Sequence, residues 1–366
     1  AGAISRYENN ERKINSDSLI KLSNLYNVSP EYILYGIKKD SSNLESSIIS
    51  FFNNENIDFE EKEELFNKIQ NKTYFKTQKM VGEDWNELLN EYFTKGIKAE
   101  QIKPKKSFEN EKIIWQFWGQ GWDFEKLPDV VKISYKSVQK YKKDYTVIHL
   151  DMNNINDYLE IPEYILQKLE AKKINFAHFT DIIRLALLIN YGGVWIDATI
   201  LLTDYLPQEY FEMDYFMFQR DDSLSLEEKK DWEDYDDFYF SWNDEMKVRV
   251  LNSIIFAKKN NEVLKVLLDM LLIFWKHNDL APNYFFFQVL YTELIENYYK
   301  DKKCKVVSDT LTHEMIRVWF DKFSQEKLDE ITKRINIHKL TYKIDAGKRD
   351  TAGSFLEHFK KMYEID

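Results

Sequence analysis

The sequence predicts an α/β protein with a mainly parallel sheet, preceded by an α-helical N-terminal region. Three observations carry that prediction. From about residue 111 the chain alternates short apolar runs with amphipathic stretches, the rhythm of helices laid on parallel strands. Residues 178–202, HFTDIIRLALLINYGGVWIDATILL, lead a long apolar helix through a glycine pair straight into a strand. Residues 41 to about 108 are instead polar with helical periodicity. At 366 residues the chain is long for one ordinary domain and short for three. Hydrophobic residues make up 44%, enough for a large core and too much for general disorder.

Taken in order, three segments emerge. Residues 1–40 carry a short helical stripe, Leu19, Ile20, Leu22 and Leu25. Ser29 then caps a second helix that Pro30 opens. ISRYENNERK and LIKLSNLYNVSPEYILYG resemble the back half of a Cro/repressor-type helix-turn-helix domain. The front half would lie before Ala1, so this partial segment is not expected to read DNA alone. Residues 41–108 are expected to form a helical region with solvated charged faces, closing in a lysine-rich linker around Pro104. Residues 109–366 are expected to form the α/β domain. Its opening run KIIWQFWG is a buried strand, LPDVVKISYKSVQKYKK an amphipathic helix, and YTVIHLD the next strand.

Bulk properties exclude several classes. The net charge is −11, unfavourable for the phosphate backbone of nucleic acid, so no nucleic-acid partner is expected. The single cysteine, Cys304, cannot make an intrachain disulfide and fits a reducing compartment. No segment reaches the roughly 18–20 apolar residues that span a bilayer, and the opening AGAISRYENNERK is unlike a signal peptide. A cytoplasmic protein is expected.

The central stretch poses the chemical question. Asp181 and Arg184 share a helix face, three residues apart, in a segment otherwise apolar nearly all round. Charges in a buried helix are normally paired or used. Gly192 and Gly193 stop the helix. Alternation in the next strand puts Trp195 and Asp197 on one face. An Asp at the carboxyl end of a strand in an open α/β sheet stands where ligands bind; Asp197 alone could cap a turn, a reading that suits the whole set less well.

FTDIIRLALLINYGGVWIDATI resembles the core motif of glycosyltransferases of the capsular polysaccharide synthesis family. More distantly it is similar to sugar transferases whose Asp-X-Asp motif follows a glycine pair. The resemblance extends to KIIWQFWGQGW and IHKLTYK, and so covers about residues 111–345. It implies a GT-A fold, a nucleotide-sugar donor (uridine diphosphate the expected nucleotide), retention of anomeric configuration, and a glycan or lipid-linked glycan acceptor in bacterial capsule or surface polysaccharide synthesis. It also implies work at the inner face of the membrane, with peripheral membrane contact. By resemblance Trp118 stacks on the base, while Gln116, Trp195 and Lys343 belong to the nucleotide-sugar site. Asp181, Arg184, Asp197 and Asn252 form the catalytic set around the donor sugar.

A divalent metal, Mn2+ or Mg2+, is implied, with Asp197, Thr199 and His338 as its ligands. Thr199 stands where the motif has its second acid. Since a hydroxyl is a weaker ligand for a hard cation, three arrangements stay open: Asp197 holding metal through water, weak binding, or replacement by a cationic side chain. Residues 220–242 are expected to be an insertion loop whose aromatic side chains either platform an acceptor sugar or make a solvated surface excursion. The alternative function is a regulator that binds a nucleotide sugar without turning it over.

Overall fold

The computed structural model describes residues 59–109, 112–343 and 351–365. The helix-turn-helix-like segment 1–40 lies outside them. The chain divides into two compact units: Ala1–Val81 with Lys230–Lys247, and Gly82–Lys229 with Val248–Asp366.

In the first unit, the described residues include part of a long helix, α1 (Phe59–Lys95). Gln78 accepts a 2.7 Å hydrogen bond from the Lys247 amide, and Tyr74 meets Phe238 edge to face. The segment expected as an insertion loop contains a helix, Leu226–Asp236. Trp232 is buried there, its ring 4.6 Å from that of Phe240. Trp232 therefore packs inward, while Tyr235 on the same helix is exposed.

The second unit is built on a five-stranded sheet of β1 (Ile113–Phe117), β2 (Thr146–Leu150), β3 (Gly193–Ile196), β5 (Tyr215–Phe216) and β6 (Ile254–Ala257), in the order β2-β1-β3-β6-β5. The pairs β2–β1 and β1–β3 are parallel, with Trp115 opposite Trp195, while β6 runs antiparallel to both β3 and β5. Four strands thus point one way, which is the mainly parallel α/β sheet that the sequence predicts. A separate antiparallel pair joins β4 (Ile200–Leu202) to β7 (Ile337–Lys339).

Helices cover the sheet because its strands are apolar on both sides. On one side Val138 of α2 (Asp129–Tyr141) joins Ile114, Val194, Ile196 and Phe256 in one core cluster. On the other, α3 (Phe176–Tyr191) packs against β3 and against the apolar helix α4 (Glu262–His277). Asn175 caps α3 by accepting from the His178 amide. The helix ends at Gly192, with φ 73° and ψ −167°, a backbone region that only glycine enters without strain. This stop lets the chain turn from α3 into β3 within two residues.

The expected linker is tied down. The amides of Lys105 and Lys106 both donate to the Tyr191 hydroxyl at the end of α3, which itself donates to the Tyr158 carbonyl. Among the described residues, no helix is long and apolar enough to cross a membrane.

Candidate functional site

The site forms where β1 and β3 end. Both are parallel strands, so their carboxyl ends open on the same edge, the usual ligand edge of such a sheet. Asp197 is the first residue after β3, and its amide is fixed by the Ser253 carbonyl at 2.8 Å. Trp195 lies two residues earlier on the same face and donates from Nε1 to Asp197 Oδ1 at 2.8 Å. Arg184 of α3 reaches across with its guanidinium 5.3 Å from the Trp195 ring centre. It donates to Asp181 Oδ1 at 2.8 Å and to Asp197 Oδ1 at 3.2 Å.

The network continues into loops and helices that are distant in sequence. Asn252, just ahead of β6, donates to Asp181 Oδ1 at 2.8 Å. Gln288, on α5 (Phe286–Asn297), donates in turn to Asn252 Oδ1 at 3.1 Å. Lys339 comes in on β7 and donates to Thr199 Oγ1 at 2.7 Å, with Asp197 Oδ2 at 3.5 Å. The four sequence-predicted catalytic residues, Asp181, Arg184, Asp197 and Asn252, therefore meet in one hydrogen-bonded chain.

Electrostatics set the two carboxyls apart. Burial pushes Asp181 up to about 7; Arg184 and the Asn252 hydrogen bond oppose the rise, and the nearby Asp197 charge adds to it. Burial would raise Asp197 as well. There the charges of Arg184 and Lys339, with hydrogen bonds from Trp195 and Ser253, outweigh it and hold the carboxyl below its ordinary value. Asp197 is thus a fixed carboxylate, while Asp181 can take a proton near neutral pH.

Other predicted residues fall at the rim or outside. Trp118 follows β1, packs beside Ala198 with Leu127 and Val131, and meets Tyr342 edge to face at 5.0 Å. Its half-buried ring borders the Asp197–Thr199 turn. Lys343 is exposed, its ammonium 5.4 Å from the centre of the Tyr284 ring. Tyr284 belongs to the same rim: burial raises its hydroxyl to about 12, with Asp181 and Asp197 adding to the effect.

Two predicted residues point elsewhere. Gln116 is fully buried, and alternation in β1 sets it on the Ile114 side of the sheet, under α2. Neither of its amide atoms has a partner among the described residues. His338 is fully buried with Nε2 3.0 Å from the Thr203 hydroxyl, and burial drives its ring down to about 3. As the neighbour of Lys339 on a strand it faces the opposite way, so the ammonium, not the imidazole, arrives at Thr199.

Residues 62–359 match the family model described as capsular polysaccharide synthesis protein. The chain belongs to this family. Residues 1–33 match a helix-turn-helix family. No curated protein matches the chain. Among solved structures it is similar to a glycosyltransferase involved in the glycosylation of the major capsid of PBCV-1, at 11% identity over 68% of this chain and 98% of that one, TM-score 0.31. It is also similar to the PaToxG glycosyltransferase, at 12% identity over 79% and 97%, TM-score 0.33.

Among the described residues, the donor set at this site does not fit the divalent metal that the motif implies. Hard cations take several free oxygen ligands, carboxylates above all. Here Asp197 already accepts from Arg184 and Trp195, and Lys339 contacts both Asp197 and Thr199. Among the described residues, no group of three or more His, Cys, Asp and Glu side chains is placed to hold a metal ion.

Sequence reasoning missed Lys339, Gln288, Tyr284 and Ser253. A signal existed for the first: His338 and Lys339 are consecutive in a strand, so only one of them can face the motif.

Proposed function

We propose that the protein is a glycosyltransferase that moves a sugar from a nucleotide-sugar donor to a glycan acceptor in capsular or surface polysaccharide synthesis. Family membership supports the reading. The observation that carries it is the linked set Asp181–Arg184–Asp197–Asn252 at the carboxyl edge of the parallel strands.

On this reading the nucleotide base stacks on Trp118, with uridine diphosphate the nucleotide. Lys343 meets the diphosphate, and Asp181 and Arg184 hold the sugar hydroxyls so that one face meets the acceptor. The bond between the anomeric carbon and the phosphate oxygen breaks, and its electron pair leaves on the nucleoside diphosphate. The acceptor oxygen bonds to the anomeric carbon on the same face, and its proton passes to the departing phosphate oxygen. The electron-poor sugar carbon gains from nearby carboxylate and amide dipoles. The acceptor is a glycan or lipid-linked glycan, met at the inner face of the membrane.

The test is nucleoside diphosphate release from UDP-, GDP- and CDP-sugars by the full chain, with Asp197→Ala alongside. Release from one donor class, abolished in the variant, is expected. No release from any donor, with no nucleotide binding, sinks the proposal.

Residues 1–33 favour a second reading, because they match a helix-turn-helix family. The site would then bind a nucleotide sugar to govern DNA binding without turnover. DNA binding that responds to a nucleotide sugar, with no nucleotide released, would select it.

A further inference from the structure

We infer that the Lys339 ammonium occupies the place of the divalent cation, so that this protein binds its donor's diphosphate without metal. The inference rests on the nucleotide-sugar reading of the site and names the group that neutralises the leaving phosphate there.

Three observations carry it. The first is placement. Pairing of β4 with β7 sets Lys339 opposite Ile200, and the Leu340 amide donates to the Thr199 carbonyl at 3.0 Å. The backbone ladder itself therefore delivers this side chain to the Asp197-Ala198-Thr199 turn. The second is ligation. The ammonium lies 2.7 Å from Thr199 Oγ1 and 3.5 Å from Asp197 Oδ2, between the two positions whose side chains would hold a metal. A threonine hydroxyl is a poor metal ligand but a good hydrogen-bond acceptor for an ammonium. The Thr in place of the second acid and the Lys beside it thus make one consistent set.

The third is charge. Asp181 and Asp197 are matched by Arg184 and Lys339, so the set is neutral when all four are ionised. A divalent ion added here would face the ammonium at close range and would have to displace it. A diphosphate meets the opposite situation. An ammonium has three N–H donors; two are directed at Thr199 and Asp197, and the third is left for a phosphate oxygen. The Lys339 side chain is partly open to solvent, so a ligand can reach it. Lys343, four residues on, adds a second positive charge near enough to be felt at Lys339.

The experiment is calorimetric titration of UDP, GDP and CDP into the full chain after dialysis against EDTA, and again with MnCl2. Whichever nucleotide binds is expected to do so with an affinity unchanged within about threefold between the two conditions. Lys339→Met is expected to weaken it by about tenfold or more, the loss of one charge-assisted hydrogen bond, whereas Lys339→Arg retains it. Circular dichroism and melting of the variants guard against misfolding, and the wild-type comparison stands without them. Binding that collapses in EDTA, or that Lys339→Met leaves untouched, overturns the inference and keeps the transferase reading. No binding of any of the three nucleotides in either condition overturns both.

Discussion

Two sets of buried charges in this molecule are alike in burial and differ in use. Arg220 and Asp309 form a two-pronged pair, Nε to Oδ1 and Nη2 to Oδ2, both at 3.1 Å, with both side chains fully buried. Arg184 is nearly as buried, but it divides its guanidinium between Asp181 and Asp197, and that chain of charges ends at an opening: Asp197 and Lys339 are 22% and 23% exposed. The first pair is sealed from solvent, with both side chains fully buried, and so it serves to hold structure. The second has an end that meets solvent and a carboxyl, Asp181, that burial poises near 7. Perturbed groups at an open edge mark functional sites; perfect pairs in a sealed core do not.

The comparison can be broken by removing either arginine. Arg220→Met leaves Asp309 buried without its guanidinium and is expected to cost about 3–5 kcal/mol of stability, read by urea unfolding. Arg184→Met should cost less than that, because Asp181 can take a proton and Asp197 keeps Lys339. Its turnover should nevertheless fall by about a hundredfold or more, as when one preorganised charge donor is lost. Equal losses of stability in the two variants would erase the distinction.

Smaller effects sharpen it. Trp118→Leu is expected to weaken nucleotide binding by about 1–3 kcal/mol while leaving the melting temperature nearly unchanged, since the ring is only half buried at the rim. An unchanged nucleotide affinity would move the base elsewhere. A further test concerns pH. Asp181 holds its proton up to about 7 in the folded chain and loses it near the ordinary 3.8 when unfolded. Between those values only the folded state binds the proton, so wild-type stability declines as pH rises through the window. Asp181→Asn lacks this penalty, and its melting advantage over wild type should widen from pH 5 to pH 8. A gap that narrows would contradict the raised carboxyl.

Much of the site was legible because it is local. The buried helix, its i,i+3 charge pair, the glycine stop and the Trp-X-Asp alternation all lie between residues 176 and 197, where periodicity alone decides faces. The mainly parallel sheet followed from the same rhythm of elements. Gln116 lies on the Ile114 side of its strand, and because that strand is apolar on both sides the pattern does not say which face meets the ligand. The 220–242 stretch reads as surface because it is acidic, yet a helix within it buries Trp232 while Tyr235 stays exposed.

The sequence by itself determined the α/β class, the helix–Gly-Gly–strand hinge and the grouping of Asp181, Arg184, Trp195 and Asp197, since each depends on neighbours within a few residues. Only the tertiary structure decided how distant groups complete that set: the resemblance already pointed to Asn252, 71 residues from Asp181, whereas Gln288, 36 beyond Asn252, and Lys339, 142 from Asp197, are brought in by the fold alone. Their arrival depends on strand register. A shift of one residue in the pairing of β4 with β7 would present His338 to the motif in place of Lys339, and short-range patterning cannot fix that choice.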